Sequence, residues 1–166
     1  MNHQHEYVHI YKVKTMEKAT FLTFNLGQEQ FAVNVANVLE VLEQQHITRV
    51  PKTPDHIMGI INFRGDILPV VNTRRKFNLD TIDRGERYYI IIFEVMKNEH
   101  RLPVAAIADS VRDVIEINTP DIKPLPEMGL NYNTNFIAGS VRRNDSFILL
   151  LNIDKVFSSA DMEMVA

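Results

Sequence analysis

The chain contains no cysteine, which excludes disulfides, thiolate metal sites and a cysteine nucleophile. No apolar run is long enough to span a bilayer; the longest, "IMGII" and "YYIIIF", are the size of single strands. The opening "MNHQHEYVHIYKVKTMEKAT" lacks the apolar stretch of a secretion signal, so the expected location is the cytoplasm. Basic residues are not in excess either. Lys and Arg total 18 against 21 Asp and Glu, a formal net charge of −3, whereas a nucleic-acid binder usually carries a basic footprint.

The usual marks of catalysis are also missing. The six glycines are scattered and form neither G-x-G-x-x-G nor a P-loop. H-E-x-x-H and G-x-S-x-G do not occur. His46, His56 and His100 stand apart along the chain beside turn residues, which predicts solvated surface histidines. Asp80 and Asp83 share a charged stretch with Arg84 and Arg87, where a solvated, partly ion-paired loop is the simpler account. His3, His5 and His9 offer imidazoles to a transition metal, but no carboxylate or fourth ligand is placed to complete a site. No catalytic residue, metal or cofactor is therefore assigned.

What is present is a succession of short β segments between turn signals. At 166 residues, 45% of them hydrophobic, the chain can bury a core without staples. "TFLTFNL" alternates Phe21, Thr23 and Asn25 with Leu22, Phe24 and Leu26, and "FAVNV" returns after the polar "GQEQ". "VANVLEVLE" places Val35, Val38, Leu39 and Leu42 at helical spacing, which predicts a short helix that runs into a strand by Val41. The prolines of "ITRVPKTP" mark an extended connection. "GIINFRGDILPVVN" reads as a hairpin, with Arg64-Gly65 at the turn because glycine takes φ > 0 without steric cost. A helical turn is expected around Arg74 to Phe77. "RYYIIIFEV" is a central strand by its nearly continuous apolar character. Strands in "RLPVAAIAD" and "SVRDVIEI" follow, with Pro103 at an edge or start. "NTPDIKPLPEMG" is a loop, and "FIAGSVRRN" with "SFILLLN" forms a last hairpin before a terminal helix in "IDKVFSS".

Nine or ten strands with two or three short helical pieces define an all-β barrel or sandwich. "IMGIINFRGDILPVVN" and "FIAGSVRRNDSFILLLN" share a pattern: apolar run, glycine, arginine-bearing turn, apolar run, asparagine. Asn72 and Asn152 then stand where Asn caps a helix. The echo suggests two related half-barrels.

These segments carry a family resemblance. "GIINFRGDILPVVNTRRKF" is close to a G-V-I-N-L-R-G-x-(V/I)-(V/L)-P-(V/I)-(V/I)-D-L-R-x-x-F pattern. "FLTFNLGQEQFAVNVANVLEVLE", "ITRVPKTPDHIMGI", "ADSVRDVIEI" before "DIKPLPE", and "FIAGSVRRNDSFILLLNIDKVF" extend the match from about Phe21 to Phe157. The chain resembles the CheW family of chemotaxis coupling proteins. That resemblance implies two intertwined five-stranded SH3-like barrels, no catalytic activity and no cofactor. It implies as partners the regulatory domain of a CheA-type histidine kinase and the cytoplasmic hairpin tip of a chemoreceptor, held near the inner membrane without direct insertion. Arg64 matches the arginine of the family's motif, with Asn62 and Gly65 around it. Glu40, with Val38 nearby, matches an acidic position associated with receptor coupling; the kinase-binding residues are not identified. The expected organisation is a flexible N-terminal tail over 1–19, the domain over 20–157, and a C-terminal tail over 158–166. Within the domain, one sub-barrel is expected over 36–83 and the other over 20–35 plus 84–151. The sequence departs from the pattern at Asn72-Thr73, where Asp-Leu is usual, in the basic "GSVRRNDS", and in the proline and alanines of "RLPVAAIADS". The alternative readings are an adaptor of another chemosensory-like pathway, a nucleic-acid-binding barrel, and an enzyme with a non-local site. The nucleic-acid reading needs exposed aromatics, whereas Phe63, Phe77, Tyr88, Tyr89 and Phe93 fit buried strand positions.

Overall fold

The computed structural model describes residues 17–79, 86–125 and 134–163; the N-terminal segment and the Asp80–Asp83 stretch lie outside them. Ten strands are present among these residues: β1 (Lys18–Leu26), β2 (Glu29–Asn34), β3 (Val38–Glu43), β4 (Ile57–Phe63), β5 (Asp66–Val71), β6 (Tyr89–Lys97), β7 (His100–Ala108), β8 (Ser110–Asn118), β9 (Ile137–Arg143) and β10 (Ser146–Leu151). Three short helices accompany them: α1 (Thr73–Lys76), α2 (Ile153–Val156) and α3 (Ser159–Glu163).

The strands form two five-stranded sheets. Sheet A has the order β8-β1-β2-β10-β9 and sheet B the order β3-β6-β7-β5-β4. The two orders are the same topology under a circular shift of the chain, with β8-β9-β10-β1-β2 standing for β3-β4-β5-β6-β7. Each sheet has one parallel pairing, β10 with β2 and β5 with β7, and the remaining pairings are antiparallel. The echo seen in the sequence is therefore architectural. Gly59 and Gly139 lie at corresponding points, each beside an isolated bridge, Thr48 with Ile60 and Lys123 with Ser140. A Cβ on Gly59 would stand 2.1 Å from the Thr48 carbonyl oxygen, and one on Gly139 would stand 2.9 Å from that of Lys123. Glycine is required at both because a neighbouring backbone occupies the side-chain space. Asn72 and Asn152 cap α1 and α2, their Oδ1 atoms accepting from the backbone N–H of Arg75 and Lys155.

Strand alternation sorts the core into three parts. Ile91, Phe93 and Val95 of β6 and Leu22, Phe24 and Leu26 of β1 point into one cluster shared by both sheets. Ile90 and Ile92 point the other way, into a cluster inside sheet B, and Phe21 points into its counterpart inside sheet A. A strand buried on both faces reads as continuously apolar, which explains "YYIIIF". The aromatic expectation holds for Phe63, Phe77 and Phe93, which are buried. Tyr88 is only half-buried and Tyr89 is exposed, because they lie at the entrance to β6.

Two cross-braces tie the sheets together. Arg74 of α1, on the sheet B side, donates through Nε to both carboxylate oxygens of Asp109 at 2.8 and 3.1 Å, and a guanidinium Nη bonds it as well. The Gly27 N–H, in the β1–β2 turn of sheet A, donates to the same carboxylate at 2.6 Å. In the reverse direction, Asp154 of α2 accepts from the Met96 N–H at 2.8 Å, and its carbonyl accepts from Lys97 Nζ, both near the β6–β7 turn. Each short helix thus clamps a hairpin of the opposite sheet.

Three expectations are corrected. Residues 35–43 form a 3-10 turn over Val35–Asn37 and then strand β3, not a helix that becomes strand at Val41. Pairing with β6 decides this, since alternation puts Leu42 over the sheet B interior. The sub-barrel limits also shift: β6 and β7 join β3–β5 in sheet B, whereas β1, β2 and β8–β10 form sheet A. The stretch expected as a C-terminal tail from residue 158 includes α3, which folds back against the body. Pro103 sits inside β7, in a portion where β6 pairs with it and the register to β5 has not begun.

Ile91→Asp is expected to unfold the protein, since it places an unpaired carboxylate in the shared cluster; a soluble, cooperatively melting variant would contradict the packing described. Gly59→Ala, read by chemical denaturation, is expected to cost more stability than Gly27→Ala. At Gly27 a Cβ meets nothing within 4 Å, leaving only the cost of its positive φ.

Candidate docking site

The residues expected to bind a receptor fall on β3 and on the β4–β5 hairpin. Arg64 and Gly65 form the tip, with φ of +53° and +88°, the positive pair that a two-residue turn between twisted strands requires. Asn62 Oδ1 accepts from the Gly65 N–H at 3.1 Å and so holds the tip from beneath. The turn projects Arg64 into solvent, its side chain 71% exposed. Its guanidinium carbon lies 4.9 Å from the centroid of the Phe63 ring, a cation–π contact that aims the long side chain.

β3 and β4 are the two outer strands of sheet B, and closure of the sheet brings them across from each other. Arg64 Nη2 donates to Glu40 Oε2 at 3.0 Å. The ion pair spans the gap between the outer strands and uses one of the five donors on the guanidinium. Leu39 and Val41, which flank Glu40 along β3, and Ile67, opposite Asn62 on the hairpin, are exposed apolar side chains. Val38 is different: it is half-buried against the shared cluster and supports β3 opposite Phe93. The fold thus brings Glu40 and Arg64 together, makes Asn62 and Gly65 the brace of the tip, and turns Val38 inward.

A second polar cluster was not evident in the sequence. Asp161 of α3 is buried to 2% exposure, yet it bonds Lys76 Nζ and His56 Nε2, both at 2.5 Å, and the Ser158 N–H at 3.0 Å. Burial alone would raise its pKa, but the bonds from Lys76, His56 and Ser158 outweigh it and hold the carboxyl below its ordinary value. His56 is therefore not the solvated histidine expected; it anchors the C-terminal helix. Burial raises the pKa of Tyr88. Among the described residues no group of His, Asp and Glu is arranged to hold a metal ion. No helix among them is long and apolar enough to cross a membrane.

Two five-stranded half-barrels share a core, and one of them presents an exposed ion pair on its outer strands. A model of the CheW-like domain family matches residues 20–161, and the chain belongs to that family. It is 30% identical to the chemotaxis protein CheW of Klebsiella aerogenes, over 87% of this chain and 85% of that one. It is 28% identical to CheW of Treponema pallidum, over 90% and 88%. The scaffolding protein TtCheW from Thermoanaerobacter tengcongensis superposes with a TM-score of 0.76 at 29% identity, over 89% of this chain and 93% of the other. The two sheets are thus the paired SH3-like barrels of that fold, and the chain is a non-catalytic scaffold protein.

Removing one partner of a buried ion cluster typically costs about 3–5 kcal/mol, so Asp161→Asn is expected to lower the unfolding free energy by about 3 kcal/mol at pH 7. Because the folded pKa is depressed, this contribution is complete above the unfolded value of about 3.9 and is lost as pH falls through the folded one. The gap between wild type and variant, measured by urea unfolding, is expected to close below about pH 4; a gap unchanged there would contradict the assignment. Arg64→Glu, by contrast, disrupts an exposed pair worth about 0–1 kcal/mol and is expected to leave the thermal midpoint within a few degrees. A collapse of folding would make Arg64 a structural brace.

Proposed function

We propose that this protein is the adaptor that couples methyl-accepting chemoreceptors to a CheA-type histidine kinase in the cytoplasm, at receptor arrays beneath the inner membrane. The observation that carries this reading is the Arg64–Glu40 pair. Two positions distant in the sequence, Glu40 matching an acidic position associated with receptor coupling and Arg64 the arginine of the family's motif, form an exposed ion pair, with Leu39, Val41 and Ile67 exposed on the same strands. Arg64 keeps donors in a rigid fork after binding Glu40, suited to a carboxylate or to helix-end carbonyls of a receptor hairpin tip. The apolar neighbours supply the area such a helical tip would bury. The kinase's regulatory domain, having the same fold in this family, would dock barrel against barrel.

Membership of the CheW family, with relatives that are chemotaxis proteins, supports the pathway. A nucleic-acid-binding role finds no support in the formal charge of −3. The test is a calorimetric titration of the protein with the regulatory domain of the CheA-like kinase from the same genome. Saturable binding at micromolar affinity or tighter, with a negative heat-capacity change from apolar burial, is the expected result. No binding to any such kinase would remove the coupling role and leave the fold unaffected.

A further inference from the structure

The end of barrel B away from the Arg64 turn opens into a cleft. β3 ends there at Glu43, β4 begins at Ile57, β5 ends at Val71 before Asn72, and β6 begins at Tyr89. Glu43, Ile57, Asn72 and Tyr89 all border the cleft, whose volume is about 1110 Å³. The length of β4 sets Ile57 about 20 Å from the Arg64 turn, at the rise of an extended strand. Barrel mouths are preferred places for small-molecule sites, and this volume is close to the upper end of such pockets, about 1,000 Å³.

The cleft is held in shape by bonds outside it. The connection from β3 to β4 forms one wall, and Thr48 and Ile60 exchange backbone bonds at 3.0 and 2.8 Å to fix it against the sheet. The Ile57 N–H donates to the Pro54 carbonyl at 2.9 Å, and the Asn72 N–H donates to the His56 carbonyl at 2.6 Å. Asp161 binds His56 and Lys76, which directly follow the lining residues Asp55 and Arg75 in the chain. One buried carboxylate thus holds this wall and α1 together.

Floor and rim have different chemistry. Ile47, Met58 and Tyr88 pack on the cluster inside sheet B and also line the cleft, so its floor is apolar. Tyr89 adds a second ring, 37% exposed. Arg49, Arg75 and Arg87 stand around this floor, on a chain whose formal net charge is −3. Arg75 meets Asp55 at 3.4 Å. Arg49 and Arg87 have no acidic partner among the described residues. A guanidinium offers a fork of donors that matches phosphate, and a flat ring stacks on aromatic side chains. An inorganic anion would satisfy the rim and leave the floor unfilled.

We propose that this cleft binds a small organic phosphate of nucleoside diphosphate size, with its phosphates on Arg49 and Arg87 and its flat ring on the floor of Ile47, Met58 and Tyr88. Glu43, the acidic group at the β3 end of the cleft, repels the phosphates and accepts from sugar hydroxyls, which fixes the direction in which the ligand lies. His46, also in the lining, adds a donor beside the arginines when its ring is protonated. The scaffold then has a small-molecule site in barrel B separate from the Arg64–Glu40 pair.

The test is calorimetric titration of the full-length protein with ADP, with GDP and with inorganic pyrophosphate, each without a metal ion, at about 0.15 M salt. At least one nucleotide is expected to bind at a single site with a Kd of about 100 µM or tighter, and pyrophosphate at least about tenfold more weakly. Arg49→Ala and Arg87→Ala, both at exposed positions, are each expected to weaken that nucleotide about tenfold or more. Arg142→Ala, an exposed arginine of sheet A, is expected to leave its affinity unchanged. Failure of both nucleotides to bind would overturn the proposal. So would pyrophosphate binding as tightly as either nucleotide, which would leave the floor without a role. An equal loss in Arg142→Ala would also overturn it, since the attraction would then belong to surface charge and not to the cleft.

Discussion

Everything in this molecule depends on the apolar cluster that its two sheets share. Phe24, Phe31 and Phe77 meet in sequence, with ring centroids 5.9 and 5.5 Å apart, and Phe93 meets Phe157 at 5.8 Å. Phe24, Phe31 and Phe93 come from strands whose alternate residues fill a separate small core, and Phe77 and Phe157 directly follow α1 and α2. Neither five-stranded sheet would bury enough area alone to be secure at this size. The shared cluster turns two marginal units into one body.

The polar contacts follow from that arrangement. Because β1–β2 and β6–β7 both face the shared cluster, their turns come within reach of the helices that follow the opposite sheet. Arg74–Asp109–Gly27 and Asp154–Met96 are the resulting braces. Asp161 completes the closure by binding Lys76 of α1 and His56 ahead of β4. These charges are tolerated because each is met by partners with suitable geometry; a buried carboxylate without them would be far more costly than an apolar side chain.

Much of the fold was legible in the sequence because strand alternation and turn chemistry are local. The Arg64-Gly65 hairpin, the Asn72 and Asn152 caps and the repeated half-barrel pattern could all be read from neighbouring residues. The passage over 35–43 was misread because valine and leucine at short intervals satisfy both periods, and pairing with β6 decided between them. The sub-barrel limits failed for a related reason: no local signal tells β6 and β7 which sheet they join. Glu40 and Arg64 were both identified, but only through the family pattern, and their contact depends on sheet closure. Asp161, His56 and Lys76 left no trace, since nothing near any one of them in the sequence announces the other two.

The site follows from the same constraint. The shared core fixes the outer strands of sheet B, closure sets Glu40 opposite Arg64, and a turn with two positive φ angles holds the guanidinium out of the surface. On the proposed function, this guanidinium contacts a partner and does more than bridge its own strands. The most direct measurement is a charge-swap cycle on binding of a chemoreceptor cytoplasmic fragment from the same genome, comparing wild type, Arg64→Glu, Glu40→Arg and the double variant. The account predicts that the double variant, which can rebuild the ion pair in reverse, still binds at least about tenfold more weakly than wild type, a loss of about 1.4 kcal/mol. Recovery of wild-type affinity in the double variant would mean that the pair only braces the barrel, and would contradict the claim.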